Sequence, residues 1–121
     1  MASVSVAKED QENINTFGRL NNRYHEARGE VDSLKKRLED LEEAGNEIMI
    51  SDEEETRYLL GEVFVRVDND EAEGLLDAEK ERAEADVERL EGEITDAKGQ
   101  MADLKVVLYG KFGKNINLEE E

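Results

Sequence analysis

Apolar residues recur along two stretches of the chain at alternating intervals of three and four. The first stretch runs Phe17, Leu20, Tyr24, Ala27, Val31, Leu34, Leu38 and Leu41. The second runs Leu76, Ala83, Val87, Leu90, Ile94, Ala97, Met101, Leu104 and Leu108. A repeat near 3.5 residues predicts two helices that bury a narrow seam against each other, with charged residues over the remaining faces. Between them, Tyr58-Leu59-Leu60-Gly61-Glu62-Val63-Phe64-Val65 alternates like two strands around a turn. The expected fold is mainly α: a long antiparallel two-helix coiled coil with a β-hairpin inserted between the helices. A narrow seam leaves no room for a deep pocket, so function belongs on surfaces, edges and ends.

Local signals set the boundaries of a single domain over residues 1–121. Helix 1 is expected over about 10–45, starting at the polar cluster Glu9-Asp10-Gln11, which suits the free amides and positive end of a helix. The hairpin occupies about 56–67. Leu60-Gly61-Glu62-Val63 fits a two-residue turn with Gly at the first central position. Helix 2 spans about 70–112. Asp68, Asn69 and Asp70 all suit its N-cap, and Asp68 with Glu71 or Asp70 with Glu73 forms a candidate capping box. Gly113 suits the left-handed residue that follows a helix, and 113–121 is a tail. No proline interrupts either helix. Gly29, Gly92 and Gly99 each cost about 1 kcal/mol of helix stability, but all fall at f, the position farthest from the seam.

Pairing Ile48 with Leu76 sets the register, which then places Tyr24 by Met101 and Leu20 by Leu104. On the hairpin, one face carries Tyr58, Leu60, Val63, Val65 and Val67. The other carries Leu59 and Phe64, with Arg57 opposite Arg66. A lone two-stranded ribbon is marginal in water, open apolar edges invite pairing, and like charges across a ladder repel. Strands from other chains would complete such a sheet. The alternative is a ribbon folded back on its own helices.

Composition narrows the partners. Thirty-three acidic residues against 16 basic ones give a net charge of −17, which disfavours nucleic acid and anionic membrane surfaces. No cysteine is present, so disulfides and thiolate chemistry are excluded. The first seven residues contain no apolar run of signal-peptide length, and no stretch approaches a membrane span, so an intracellular, soluble protein is expected.

Catalysis finds no foothold. His25 is the single histidine and sits on a helix flank, with neither nucleophile nor orienting acid placed by the sequence. The segment Asp68-Asn69-Asp70-Glu71-Ala72-Glu73-Gly74 approaches a calcium loop, yet Ala72 occupies a ligand position and the required Gly is displaced by one. No metal, cofactor or catalytic residue is assigned. What remains is apolar surplus at the free helix ends. Ile14, Phe17, Leu108, Tyr109, Phe112, Ile116 and Leu118 exceed what the seam requires. They either cap the frayed end of the coil or present an adaptable apolar patch to other proteins.

Several segments resemble a β-type subunit of the prefoldin family. The carrying residues are the tail Leu104-Lys105-Val106-Val107-Leu108-Tyr109-Gly110-Lys111-Phe112-Gly113-Lys114-Asn115-Ile116-Asn117-Leu118-Glu119, with Asp10-Gln11, Ile14-Asn15 and Phe17 at the front and Gly61-Glu62-Val63-Phe64-Val65 in the hairpin. The resemblance implies a cytoplasmic, ATP-independent co-chaperone without enzymatic chemistry or cofactor. In that family six subunits join their hairpins into a double β-barrel, and the coiled-coil tips hold unfolded clients, notably actin and tubulin, for the cytosolic chaperonin. Carried over, Tyr58, Leu59, Leu60, Val63, Phe64, Val65 and Val67 become the assembly element. Ile14, Phe17, Leu108, Tyr109, Phe112, Ile116 and Leu118 become client contacts. The implied partners are other prefoldin subunits, unfolded proteins and the chaperonin, with no nucleic acid or membrane. Interior helix glycines and the acidic stretch Glu79 to Glu91 depart from the pattern. A different class, a structural adaptor pairing with a fixed partner helix, would use the same seam without an apolar tip.

Overall fold

A computed structural model describes residues 7–51, 53–60 and 63–118, with the backbone alone at 58–60 and 63–65. Helix α1 spans Lys8–Ile50, strands β1 and β2 span Glu55–Leu60 and Val63–Asp68, and helix α2 spans Asn69–Phe112. A short 3-10 turn, Gly113–Asn115, follows. Every seam residue named from the heptad pattern is buried or half-buried. Gly29, Gly92 and Gly99 are exposed, as their f positions require.

The chain forms two compact units: Met1–Val31 with Arg89–Glu121, and Asp32–Glu88. In the first, hereafter the terminal unit, Phe17, Tyr24, Ala97, Met101, Leu108, Phe112 and Leu118 form one buried cluster, with Ile14, Leu20, Ile94, Leu104 and Ile116 packed against it. Tyr24 and Met101 share this cluster as the register predicts, and Ala97, one turn earlier in α2, joins them. Arg23 bridges to Glu93 of α2 and to Glu30 of its own helix. Both Arg23 and Glu93 precede an a position, so the pair shields one flank of the seam. Tyr24 lies under Lys98 and Arg28, and its hydroxyl accepts from Arg28 Nη1 at 3.0 Å.

In the second, the ribbon unit, Leu41, Ile48, Ala72 and Leu76 form the core, with Ala44 and Val67 against it. Arg37 and Glu79 bridge the flank at 3.1 Å. Helix α1 ends five residues later than the expected boundary at Gly45. The reason is Ile48: its burial beside Ala72 and Leu76 rewards one more helical turn, and a glycine with open space around it does not stop a helix. Helix α2 begins where a capping box requires. Asp68 Oδ1 accepts the Glu71 N–H at 2.8 Å, which selects Asp68 among the three candidate caps.

The strands pair antiparallel, with Arg57 opposite Arg66 and Leu60 opposite Val63. The expected turn residues Gly61 and Glu62 lie outside the described residues, as do the side chains of Tyr58, Leu59, Leu60, Val63, Phe64 and Val65. The Asn69 N–H donates to the Glu54 carbonyl at 3.1 Å, in step with the register of the ladder. By alternation, Thr56 and Val67 are also a hydrogen-bonded pair, and Arg57 and Arg66 are not. Their backbone groups therefore point outward, one to each edge of the ribbon.

Candidate functional site

Two regions carry the expectations drawn from the sequence, one in each unit. In the terminal unit the candidate contacts do not form a uniformly open patch. Phe17, Leu108, Phe112 and Leu118 are buried in the cluster, and Ile14 and Ile116 are half-buried against it. Only Tyr109 among the seven is exposed. The capping alternative thus describes how six of these side chains pack in the isolated chain.

The seal has a polar component. Asp10, in the first turn of α1, is buried, and its Oδ1 receives Lys111 Nζ at 2.8 Å from the last turn of α2. This hydrogen bond, reinforced by the opposite charge, raises the lysine pKa above its usual value. The acid also sits at the positive end of α1 and the ammonium at the negative end of α2, so both helix dipoles favour the arrangement.

Sequence spacing missed the surface that is open. Val106 is 76% exposed, and Val107 and Tyr109 are exposed beside it. Val106 falls at f and Val107 at g, where the other turns of α2 carry only glycine, alanine, glutamine or acidic residues. An apolar pair on the outer face was the available signal. Met49 and Ile50, exposed at the end of α1, are a second apolar pair that heptad reading passed over.

In the ribbon unit Asn69 joins the strands to the helices. Its Nδ2 donates to the Glu53 carbonyl, and its Oδ1 accepts from Thr56 Oγ1, both at 2.6 Å. The ribbon is thereby held at its base. Val67, the assembly residue whose side chain is described, is half-buried against the core. Thr56, Arg57, Glu55 and Glu53 also line a cleft of about 470 Å³ with Leu41, Ile48 and Leu76. The heptad seam gives no sign of it. It is open, and its lining also includes the carboxylates of Asp40, Glu47 and Glu79 and the guanidinium of Arg37. Among the described residues no group of three or more His, Cys, Asp or Glu is placed to hold a metal, and no helix is long and apolar enough to cross a membrane.

Two long helices joined by a small antiparallel ribbon, with their seam closed within one chain, define a prefoldin-like coiled-coil protein. The family model described as Prefoldin subunit matches residues 11–115. The chain is 38% identical over 120 residues to prefoldin subunit 4 of Homo sapiens, covering 98% of this chain and 90% of that protein. It is 33% identical over 118 residues to prefoldin subunit 4 of Saccharomyces cerevisiae, covering 97% and 92%. A probable prefoldin subunit 4 of Dictyostelium discoideum is 37% identical over 118 residues, covering 97% and 89%. The chain belongs to the prefoldin subunit family.

Proposed function

We propose that this chain is a subunit of a hetero-hexameric chaperone that works without ATP in the cytoplasm. It joins sister prefoldin subunits through the hairpin and holds unfolded proteins of the actin and tubulin type at its helix ends, for transfer to the cytosolic chaperonin. It performs no catalysis and needs no cofactor. Family membership supports the class. The observation that carries the assembly step is the ribbon itself: two strands of six residues, each with an outer edge and with an arginine in the middle of that edge. Isolated ribbons of this size are marginal, and open edges pair. Tyr58 to Val67 is the element offered to neighbours.

Client holding rests on apolar side chains carried by the helices themselves, Ile14, Phe17, Leu108, Tyr109 and Phe112, together with the exposed Val106 and Val107, while Ile116 and Leu118 of the tail pack against that cluster. Several weak contacts from several subunits give avidity without one tight site. The adaptor alternative needs an unsatisfied seam for its partner helix, and the seam residues here are covered within the chain.

Native mass spectrometry of the complex purified from cells tests the assembly, with six different subunits as the expected result. Aggregation assays on denatured actin test the activity: the assembled complex should suppress aggregation and the isolated chain should do so poorly. Full suppression by the isolated chain would refute the reading.

A further inference from the structure

Past α2 the chain doubles back onto the helix it has just left. Gly113, at φ +54°, makes the reversal, and Ile116 is extended at φ −131° and ψ 146°. The Leu118 N–H donates to Tyr109 Oη at 3.0 Å. Leu118 is buried and Ile116 half-buried against the cluster that contains Phe17, Leu108 and Phe112, and the intervening Asn117 is exposed. Residues two apart on an extended strand point to the same side. Ile116 and Leu118 therefore enter together, and a tyrosine hydroxyl holds a backbone N–H beside them.

We infer that this contact is the recognition mode of the helix end: the apolar surface over Phe17, Leu108 and Phe112 takes an extended segment with apolar side chains at i and i+2, and residues 116–118 are its resident occupant until a client displaces them. The inference rests on the client-holding reading above. It adds the form of the ligand and a filter. Folded proteins keep their backbone N–H groups paired, whereas an unfolded chain offers a free N–H to Tyr109 together with alternating apolar side chains. A tethered occupant competes at an effective concentration on the order of millimolar, so weak and brief encounters fail to displace it. The surface stays covered when no client is present.

The test uses the assembled complex and a fluorescent synthetic copy of residues 114–119 as probe. Complexes carrying the wild-type chain, the chain ending at Asn115, or full-length I116S/L118S are titrated with the probe and with a copy bearing Ser in place of both apolar residues. Removing the occupant by either route should tighten probe binding at least tenfold, and the Ser copy should bind none of them. The full-length double variant decides the matter if truncation loosens the helix end. Equal probe affinity for wild type and I116S/L118S overturns the inference. So does lost client capture in I116S/L118S with amide protection at Leu108 to Phe112 unchanged, because the tail would then itself be the client contact. Aggregation assays keep the two readings apart. Normal suppression with no change in probe affinity sinks the tail inference alone, and no suppression by any complex sinks the functional reading.

Discussion

Asp10 and Lys111, 101 positions apart in sequence, meet at 2.8 Å, the carboxylate buried and the ammonium half in water. The asymmetry sets what each substitution does. Removing the lysine strands a buried acid, whereas removing the acid leaves a lysine that can turn to solvent. Lys111→Met is therefore expected to destabilise the terminal unit more than Asp10→Ala. The double variant D10A/K111M should recover part of the single K111M loss. Urea unfolding followed by hydrogen exchange at residues 8–20 and 101–112 measures the ordering, and an additive double variant would contradict it.

The same pair predicts a direction with pH. Lys111 is held above the usual lysine value of 10.5, first by its hydrogen bond to Asp10 and then by that charge. A raised folded-state pKa means the folded state binds the proton more tightly than the unfolded one. The stabilisation is fully present below 10.5 and fades as pH rises through the higher folded value. Amide exchange of the terminal unit, corrected for its intrinsic pH dependence, should show this loss at alkaline pH in wild type and not in D10A/K111M.

Leu108 and Val106 are two residues apart on α2 with opposite fates. Leu108 is fully buried, and Leu108→Ala should lower stability by about 2–5 kcal/mol through lost contact and a residual cavity. Val106 faces water, and Val106→Ser should stay within about 0.5 kcal/mol of wild type. If the outer face of α2 touches clients, Val106→Ser in the assembled complex weakens suppression of actin aggregation with unchanged thermal unfolding. Unchanged suppression would confine client contact to the end of the helices.

Much of this architecture was legible because a heptad seam is a one-dimensional code. Burial of Phe17, Tyr24, Leu41, Leu76, Leu90 and Leu108 follows from spacing, and so does exposure of the f-position glycines. The strand register followed from the turn, since Leu60 and Val63 can close only one ladder. The end of α1 was misread because Gly45 is a local signal and Ile48 a tertiary one, and burial outweighed propensity. The state of the helix ends was not readable either. Leu118 is a plausible surface contact by composition, and only the reversal at Gly113 and the hydroxyl of Tyr109 bring it inside. Asp10 was likewise read as a helix-start residue, with no hint of Lys111, because long-range ion pairs leave no periodic trace.

Asn69 concentrates the attachment of the ribbon in one side chain. Asn69→Ala removes the bonds to Thr56 Oγ1 and the Glu53 carbonyl, a loss of roughly 1–3 kcal/mol for two hydrogen bonds. The Asp68 cap on Glu71 is untouched, so α2 should keep its start. Faster amide exchange over Glu55–Leu60 without change at residues 101–112 is the expected signature. A uniform loss across both units would mean that Asn69 supports more than the base of the ribbon.

Glycine substitutions separate backbone strain from helix propensity. At Gly92 an added Cβ meets nothing within 4 Å. Gly92→Ala should therefore stabilise α2 by about 0.5–1 kcal/mol, the helix-interior difference between the two residues. Gly113 has the same open surroundings and the opposite expectation, because its φ of +54° lies in the left-handed region. Gly113→Ala should lose roughly 1–2 kcal/mol from the chain reversal. That loss has a local address, the amide of Leu118 bonded to Tyr109, which should exchange faster while Leu90 and Met101 amides do not. If Gly113→Ala leaves Leu118 as protected as wild type, the left-handed turn is not what returns the tail to the helix.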